Sequence, residues 1–376
     1  MKLSFVVFLM VFVSIPFVLA QNKITDVYSN EQFPFSIENG KRKLTGTLTI
    51  PLHYNQKIPF VVFVSPPQPC NRDYYGLFSY MADILGHSGI ASLRYDNRSF
   101  VDSTILFNDE DQYTMFDNAA DVRDAIYELR KDKRFEHSAI GIIGHSEGGA
   151  SAAIETSQNK DVSFLIVMST IGIPGVDLAF SQKITNNFLY SLLSTNIRNE
   201  IVRSTYSIIQ KVGKELDNTR LRMLITDDYK ANYMATPEDQ RAKMYGKQTL
   251  QQGIDNCLNQ WMKPRLLEYI RFTPATYYSK ISCPILVTYG KMDETVDWRA
   301  NTEDLEKIFI NSSKKNYTLL IVDSLNHNYE TARVSQIKPM FDYSNKRTEN
   351  IKDARFKEVC NIMSKWIYAQ QPTTKE

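Results

Sequence analysis

Gly144-His145-Ser146-Glu147-Gly148 sets one serine between glycines two residues away on either side. The spacing G-x-S-x-G serves nucleophilic chemistry when it joins a strand to a helix. The sharp turn then lifts the serine hydroxyl clear of the backbone, and the glycines leave room for it. The neighbours supply that context: Ser138-Ala139-Ile140-Gly141-Ile142-Ile143 reads as an apolar strand and Gly148 to Glu155 as a small-residue helix. Ser146 is therefore the candidate nucleophile. A serine hydroxyl reacts poorly near neutral pH, so it needs a base, and the base needs a carboxylate to orient it.

Of the five histidines, His53, His87, His137, His145 and His327, only His327 follows the serine. A nucleophile on a strand–turn–helix elbow is followed along the chain first by the acid and then by the histidine. His327 lies in Asp323-Ser324-Leu325-Asn326-His327-Asn328, just beyond the apolar strand Tyr317 to Val322, and is the candidate base. The candidate acid is Asp293, in the segment after strand Pro284 to Tyr289, with Glu294, Asp297 and Asp323 as competitors. His145 sits inside the elbow and is expected to pack away from the nucleophile. Glu147, directly after the serine, supplies one backbone N–H to the oxyanion hole.

These residues need a sheet to bring them together. Leu44 to Ile50 alternates with a period of two, as a half-buried antiparallel strand does, and Phe33 to Ile37 pairs with it. Phe60 to Val64, Ile90 to Tyr95, the nucleophile strand and Phe164 to Ser169 are continuous apolar runs separated by helical segments, which indicates a parallel sheet covered on both faces. From Val176 to Tyr278 the strand rhythm stops and helical periodicity takes over, as in Ile201 to Leu216 and Thr249 to Met262; this is read as a helical lid. Strand signals resume at Pro284 and at Tyr317, and a last helix runs from Phe356 to Tyr368. The expected organisation is a signal peptide over 1–20, core over 21–175, lid over 176–278 and core again over 279–376.

The signal peptide is read from Lys2, the apolar run Leu3 to Leu19 and the small-residue end Val18-Leu19-Ala20. The run is short for a membrane span and Pro16 breaks it, so the mature chain is expected to be exported, periplasmic or extracellular, without a stable membrane anchor. A net charge of +2 gives no electrostatic reason for a nucleic-acid partner. Cys70, Cys257, Cys283 and Cys360 allow three disulfide pairings, and none has metal-ligand spacing. No cofactor and no metal is implied.

The chain resembles the bacterial exported α/β-hydrolases of the serine-aminopeptidase-like and dienelactone-hydrolase-related group. The resemblance rests on Gly144 to Gly149, on Leu93-Arg94-Tyr95-Asp96-Asn97-Arg98, on Cys283-Pro284-Ile285-Leu286 leading to Gly290-x-x-Asp293-x-x-Val296, and on Asn326-His327. It implies an α/β-hydrolase fold, a mostly parallel doubly wound sheet with a helical lid. It also implies a Ser146, Asp293 and His327 triad that cleaves small-molecule esters or acylated substrates. Arg72, Asp73, Arg94, Asp96 and Arg98 are expected to form an ion-pair network fixing the loops.

One stretch departs from the family. Where its members resemble Gly-Ser-Gly-Pro before Arg-Asp, this chain has Ser65-Pro66-Pro67-Gln68-Pro69-Cys70-Asn71-Arg72-Asp73, which puts Pro67 at the position expected to donate the second oxyanion N–H. Proline has no N–H. Gln68, by its N–H or its side-chain amide, is the expected replacement. Two other readings share the same residues. One is a peptidase, with lid carboxylates such as Asp227, Asp228 and Glu238 receiving an amine; the other is a weakened hydrolase fold that binds a ligand. Phe188, Leu189, Tyr190, Tyr229, Tyr233 and Met234 would line an apolar acyl pocket or form the lid core.

Overall fold

Alternating leucine and threonine between Leu44 and Ile50 extend into a ten-residue strand, β2 (Arg42–Pro51), which pairs antiparallel with β1 (Tyr28–Ile37) so that Phe35 faces Leu44. The computed structural model describes residues 27–54, 57–101, 104–105, 112–185, 195–331 and 354–371; the expected signal peptide lies outside them. The continuous apolar runs give β3 (Phe60–Val64), β4 (Ala91–Tyr95), β5 (Ile140–His145), β6 (Val162–Met168), β7 (Ile285–Gly290) and β8 (Tyr317–Val322). They form an eight-stranded sheet in the order β1-β2-β4-β3-β5-β6-β7-β8, parallel from β4 to β8.

Burial explains why these strands read as unbroken apolar runs. In β3, Phe60, Val62 and Val64 enter the core on one face of the sheet, while Val61 and Phe63 enter the core on the other. In β6, Leu165 and Val167 go with the first face and Phe164, Ile166 and Met168 with the second. A strand covered on both sides has no polar face to show.

The covering helices are α1 (Leu77–His87), α2 (Met115–Lys131) and α3 (Glu147–Gln158), followed after β6 by α4 (Gly175–Thr185), α5 (Thr195–Lys214), α6 (Asn218–Ala235), α7 (Glu238–Tyr245), α8 (Leu250–Trp261), α9 (Pro264–Arg271) and α10 (Pro274–Tyr278). Two more described helices are α11 (Trp298–Asn311) and α12 (Ala354–Ala369). Between β6 and β7 the described residues are thus helical, and they bury a core of their own that includes Ile209, Val212, Leu221, Ile225, Trp261 and Ile270. A second cluster joins that segment to the sheet's helices: Leu178 and Phe272 pack against Met115, Ala119, Ala150 and Ile154.

The loops around the site are fixed by charges, though not as one network. Arg72 pairs with Asp96 at 2.5 Å and Arg94 with Asp73 at 2.9 Å. Arg98 turns away from both, to buried Asp121 on α2 and to Glu38 at 2.5 Å. The expected single network therefore divides, because α2 brings its own carboxylate to Arg98. All four cysteines are unpaired, and Cys70 and Cys360 are buried.

The start of α2 at the site edge of the sheet is held by a capping box, in which Thr114 Oγ1 accepts from Asp117 N–H and the Asp117 carboxylate accepts from Thr114 N–H. Thr114→Ala is expected to lower stability by about 1 kcal/mol, seen as a reduced urea midpoint with an unchanged slope.

Candidate active site

The elbow follows from a crowded junction. Ser146 caps α3 at φ 55° and ψ −128°, a positive-φ conformation that L-residues rarely hold. Side chains would block the turn around it. A Cβ on Gly148 would collide with the Val64 carbonyl at the end of β3, and one on Gly144 would lie 2.5 Å from the Gly148 carbonyl. The turn is anchored by Ser146 N–H donating to Met168 O at 2.8 Å and Gly149 N–H donating to Ser146 O at 2.9 Å. Of residues 140–156, Ser146 alone is not fully buried. Its hydroxyl stands at the N-terminus of α3, where free N–H groups and the helix dipole favour negative charge.

The loops after β7 and β8 meet beside it. His327 Nδ1–H donates to Asp293, at 2.9 Å to Oδ2 and 3.1 Å to Oδ1. Asp293 Oδ1 also accepts from the Thr295 and Val296 N–H groups, both at 2.9 Å. Burial pushes the Asp293 carboxyl up, but the His327 imidazole and the Val296 N–H outweigh it and hold the group below the usual carboxylate range. Of the competing acids, Glu294 accepts from the His327 backbone and two are engaged elsewhere. Asp297 caps α11, and exposed Asp323 pairs with Lys291 at 2.8 Å. Met292 N–H donating to Leu325 O at 2.9 Å laces the two loops together. Ser146 Oγ makes no hydrogen bond to the imidazole in this structure, a contact that commonly tightens only with substrate present.

His145, expected to pack away from the nucleophile, is indeed buried, but it also touches the site. Its Nε2–H donates to the backbone carbonyl of His327 at 2.8 Å, and its Nδ1 accepts from Tyr74 O–H at 3.1 Å. One residue of the elbow therefore holds the loop that carries the imidazole. No spacing rule reveals this, because the partner is a backbone carbonyl 182 residues away. Burial, with a smaller contribution from His327, drives the His145 pKa from its ordinary 6.5 down to about 3, so it stays neutral and keeps this tautomer.

The oxyanion side is unequal. Glu147 N–H begins α3 and has no partner within the helix. In the opposing loop Pro66, Pro67 and Pro69 have no N–H, and the Gln68 N–H already donates to Pro66 O at 2.8 Å. This corrects half of the expectation for Gln68: its backbone donor is spent in a tight turn, which leaves the side-chain amide. Asn97 braces the loop by donating to the Gln68 carbonyl.

Of the lid residues expected near a pocket, Phe188, Leu189 and Tyr190 lie outside the described residues, while Tyr229 and Tyr233 pack on Tyr245. A cavity of about 240 Å³ lies between α2, α9 and α10, lined by residues that include Phe116, Glu268, Arg271 and Tyr277 and none of Ser146, Asp293 and His327. Among the described residues no group of three or more His, Cys, Asp or Glu could hold a metal ion, and no helix is long and apolar enough to cross a membrane.

No family model matches the sequence, and no curated protein matches it significantly. Solved structures do match. An esterase of Pyrococcus furiosus is 13% identical, with 92% of each chain covered and a TM-score of 0.52. Est1E of Butyrivibrio proteoclasticus, with ferulic acid bound, is 15% identical at a TM-score of 0.52, covering 90% of this chain and 98% of that one. An acylaminoacyl peptidase of Pyrococcus horikoshii is 14% identical at a TM-score of 0.52, covering 93% of this chain but only 43% of that one. Sheet order, elbow and these likenesses establish that the chain has the α/β-hydrolase fold.

Neutral His145 makes the fold less stable as pH falls. Its pKa is depressed in the folded state, so the unfolded chain binds the proton first; the stability contribution is complete above about pH 6.5 and is lost as pH falls toward 3. At pH 4.5 the loss is about 2–3 kcal/mol. His145→Gln keeps an N–H for the His327 carbonyl and removes this titration. Its urea midpoint should therefore fall less between pH 7.5 and 4.5 than that of the unsubstituted protein; equal falls would contradict the assignment.

Proposed function

We propose that the protein is a serine hydrolase of carboxylic esters, with Ser146 as nucleophile, His327 as base and Asp293 as orienting acid. The observation that carries this reading is the Asp293–His327 pair, buried on two laced loops beside a serine held at positive φ on a helix N-terminus. With Nδ1–H committed to Asp293, His327 presents Nε2 as a proton acceptor. Ser146 Oγ attacks the acyl carbon while its proton passes to Nε2, and the developing oxyanion is met by Glu147 N–H and the Gln68 side-chain amide. His327 returns the proton to the departing alkoxide. Water, deprotonated by the same imidazole, then attacks the acyl-enzyme and releases the acid. The helices between β6 and β7 act as a lid over this edge of the sheet.

Ester chemistry is favoured over peptide chemistry because, of the three helical carboxylates that could receive an amine, Asp227 and Glu238 are exposed and the half-buried Asp228 is occupied. Asp228 is bound to Lys211 at 2.7 Å and to the Ser207 hydroxyl at 3.0 Å, and so is already committed. The proline-rich oxyanion loop favours the other alternative, a ligand-binding fold without turnover, and the same experiment separates the two.

Hydrolysis of short nitrophenyl esters should be lost in Ser146→Ala and should fall by roughly 10⁴-fold in kcat for Asp293→Asn, with both variants folded. Folded, unsubstituted protein with no turnover would instead support the binding role. Gln68→Ala should lower kcat by about 100-fold or more if its side chain completes the oxyanion hole; an unchanged kcat would move that donor elsewhere.

A further inference from the structure

Glu147 does more than supply an N–H. Its side chain is a carboxylate attached to the residue that follows the nucleophile, and it is buried, with 7% of the residue exposed. Oε2 accepts from Arg265 of α9 at 2.8 Å, while Oε1 is buried with no hydrogen-bond partner. An anion in this place is tolerated because the α3 N-terminus attracts negative charge, yet it draws on the same dipole and N–H field that a developing oxyanion needs.

We propose that Arg265 cancels the charge of Glu147 beside the oxyanion site, so that the helical segment supplies the electrostatic balance on which the reaction depends. This rests on the serine-hydrolase reading of Ser146. The helix that carries the guanidinium is itself anchored. One turn along the same face of α9, Tyr269 O–H donates to Gln182 Oε1 at 2.7 Å, and Gln182 Nε2 donates to Thr295 O at 3.2 Å in the loop that carries Asp293. Helix α9 thus reaches the residue after the nucleophile through Arg265 and the acid loop through Tyr269. In a water-poor site an uncompensated carboxylate acts strongly on nearby charge. Removing the guanidinium alone should therefore raise the barrier for forming an oxyanion, and neutralising Glu147 as well should lower it again.

The test is a double-variant cycle on ester hydrolysis, with fluorophosphonate labelling of the unsubstituted protein and of Ser146→Ala as controls. Arg265→Met is expected to lower kcat by about 10- to 100-fold with little change in KM. Glu147→Gln combined with Arg265→Met is expected to recover to within severalfold of Glu147→Gln. A double variant as slow as Arg265→Met would overturn the proposal and leave Arg265 a docking contact for α9; so would an Arg265→Met enzyme at full rate. Should Arg265→Met fail to fold, Arg265→Lys takes its place: most of the activity retained supports charge compensation, and activity lost in folded Arg265→Lys overturns it. Unsubstituted protein that neither labels nor turns over ester refutes the hydrolase reading itself, and is distinguished from the other outcomes by the labelling control.

Discussion

The positive-φ turn at Ser146 is the constraint from which the rest of the site follows. It exists because β3, β5 and the start of α3 approach too closely for side chains at Gly144 and Gly148. The turn aims the serine out of an otherwise buried stretch and sends its two neighbours to different partners. His145 goes inward to Tyr74 and the His327 carbonyl, and Glu147 goes to Arg265 on α9. One local conformation thereby ties Ser146 to the His327 loop and to the helical segment. Such strain persists only where the surroundings over-determine it, and hydrogen bonds to Met168 and within α3 do so here.

Local pattern and chain order carried the sheet and the identity of the facing groups. Period-two alternation marked β2, unbroken apolar runs marked the doubly covered strands, and the only histidine downstream of the serine is the one that meets Asp293. These features were legible because each is written in consecutive residues or in their order. What was not legible depends on backbone atoms and on distant partners. His145 holds a carbonyl, so no residue type at position 327 advertises it. Arg98 leaves its neighbours for Asp121 because of where α2 packs, and the Gln68 N–H is spent on Pro66 by a turn that prolines on both sides impose.

The two halves of the site differ in how they are built. His327 and Asp293 come from loops joined by backbone hydrogen bonds, with the Asp293 carboxyl held below the usual carboxylate range by its partners. The proposed oxyanion side instead has a helix N-terminus, the Gln68 side-chain amide as its proposed donor and a Glu147–Arg265 charge pair that reaches across from α9. On the proposed reading, preorganisation is strong where the proton would move and conditional where charge would develop, which would make the helical segment part of the chemistry.

The claim that everything else rests on is that Ser146 is the nucleophile. Intact-mass and peptide mass spectrometry after reaction with a fluorophosphonate tests it most directly. The account predicts one adduct, on the peptide that contains Ser146, and none in folded Ser146→Ala. An adduct on another residue, or folded protein that hydrolyses esters while Ser146 stays unmodified, would contradict it.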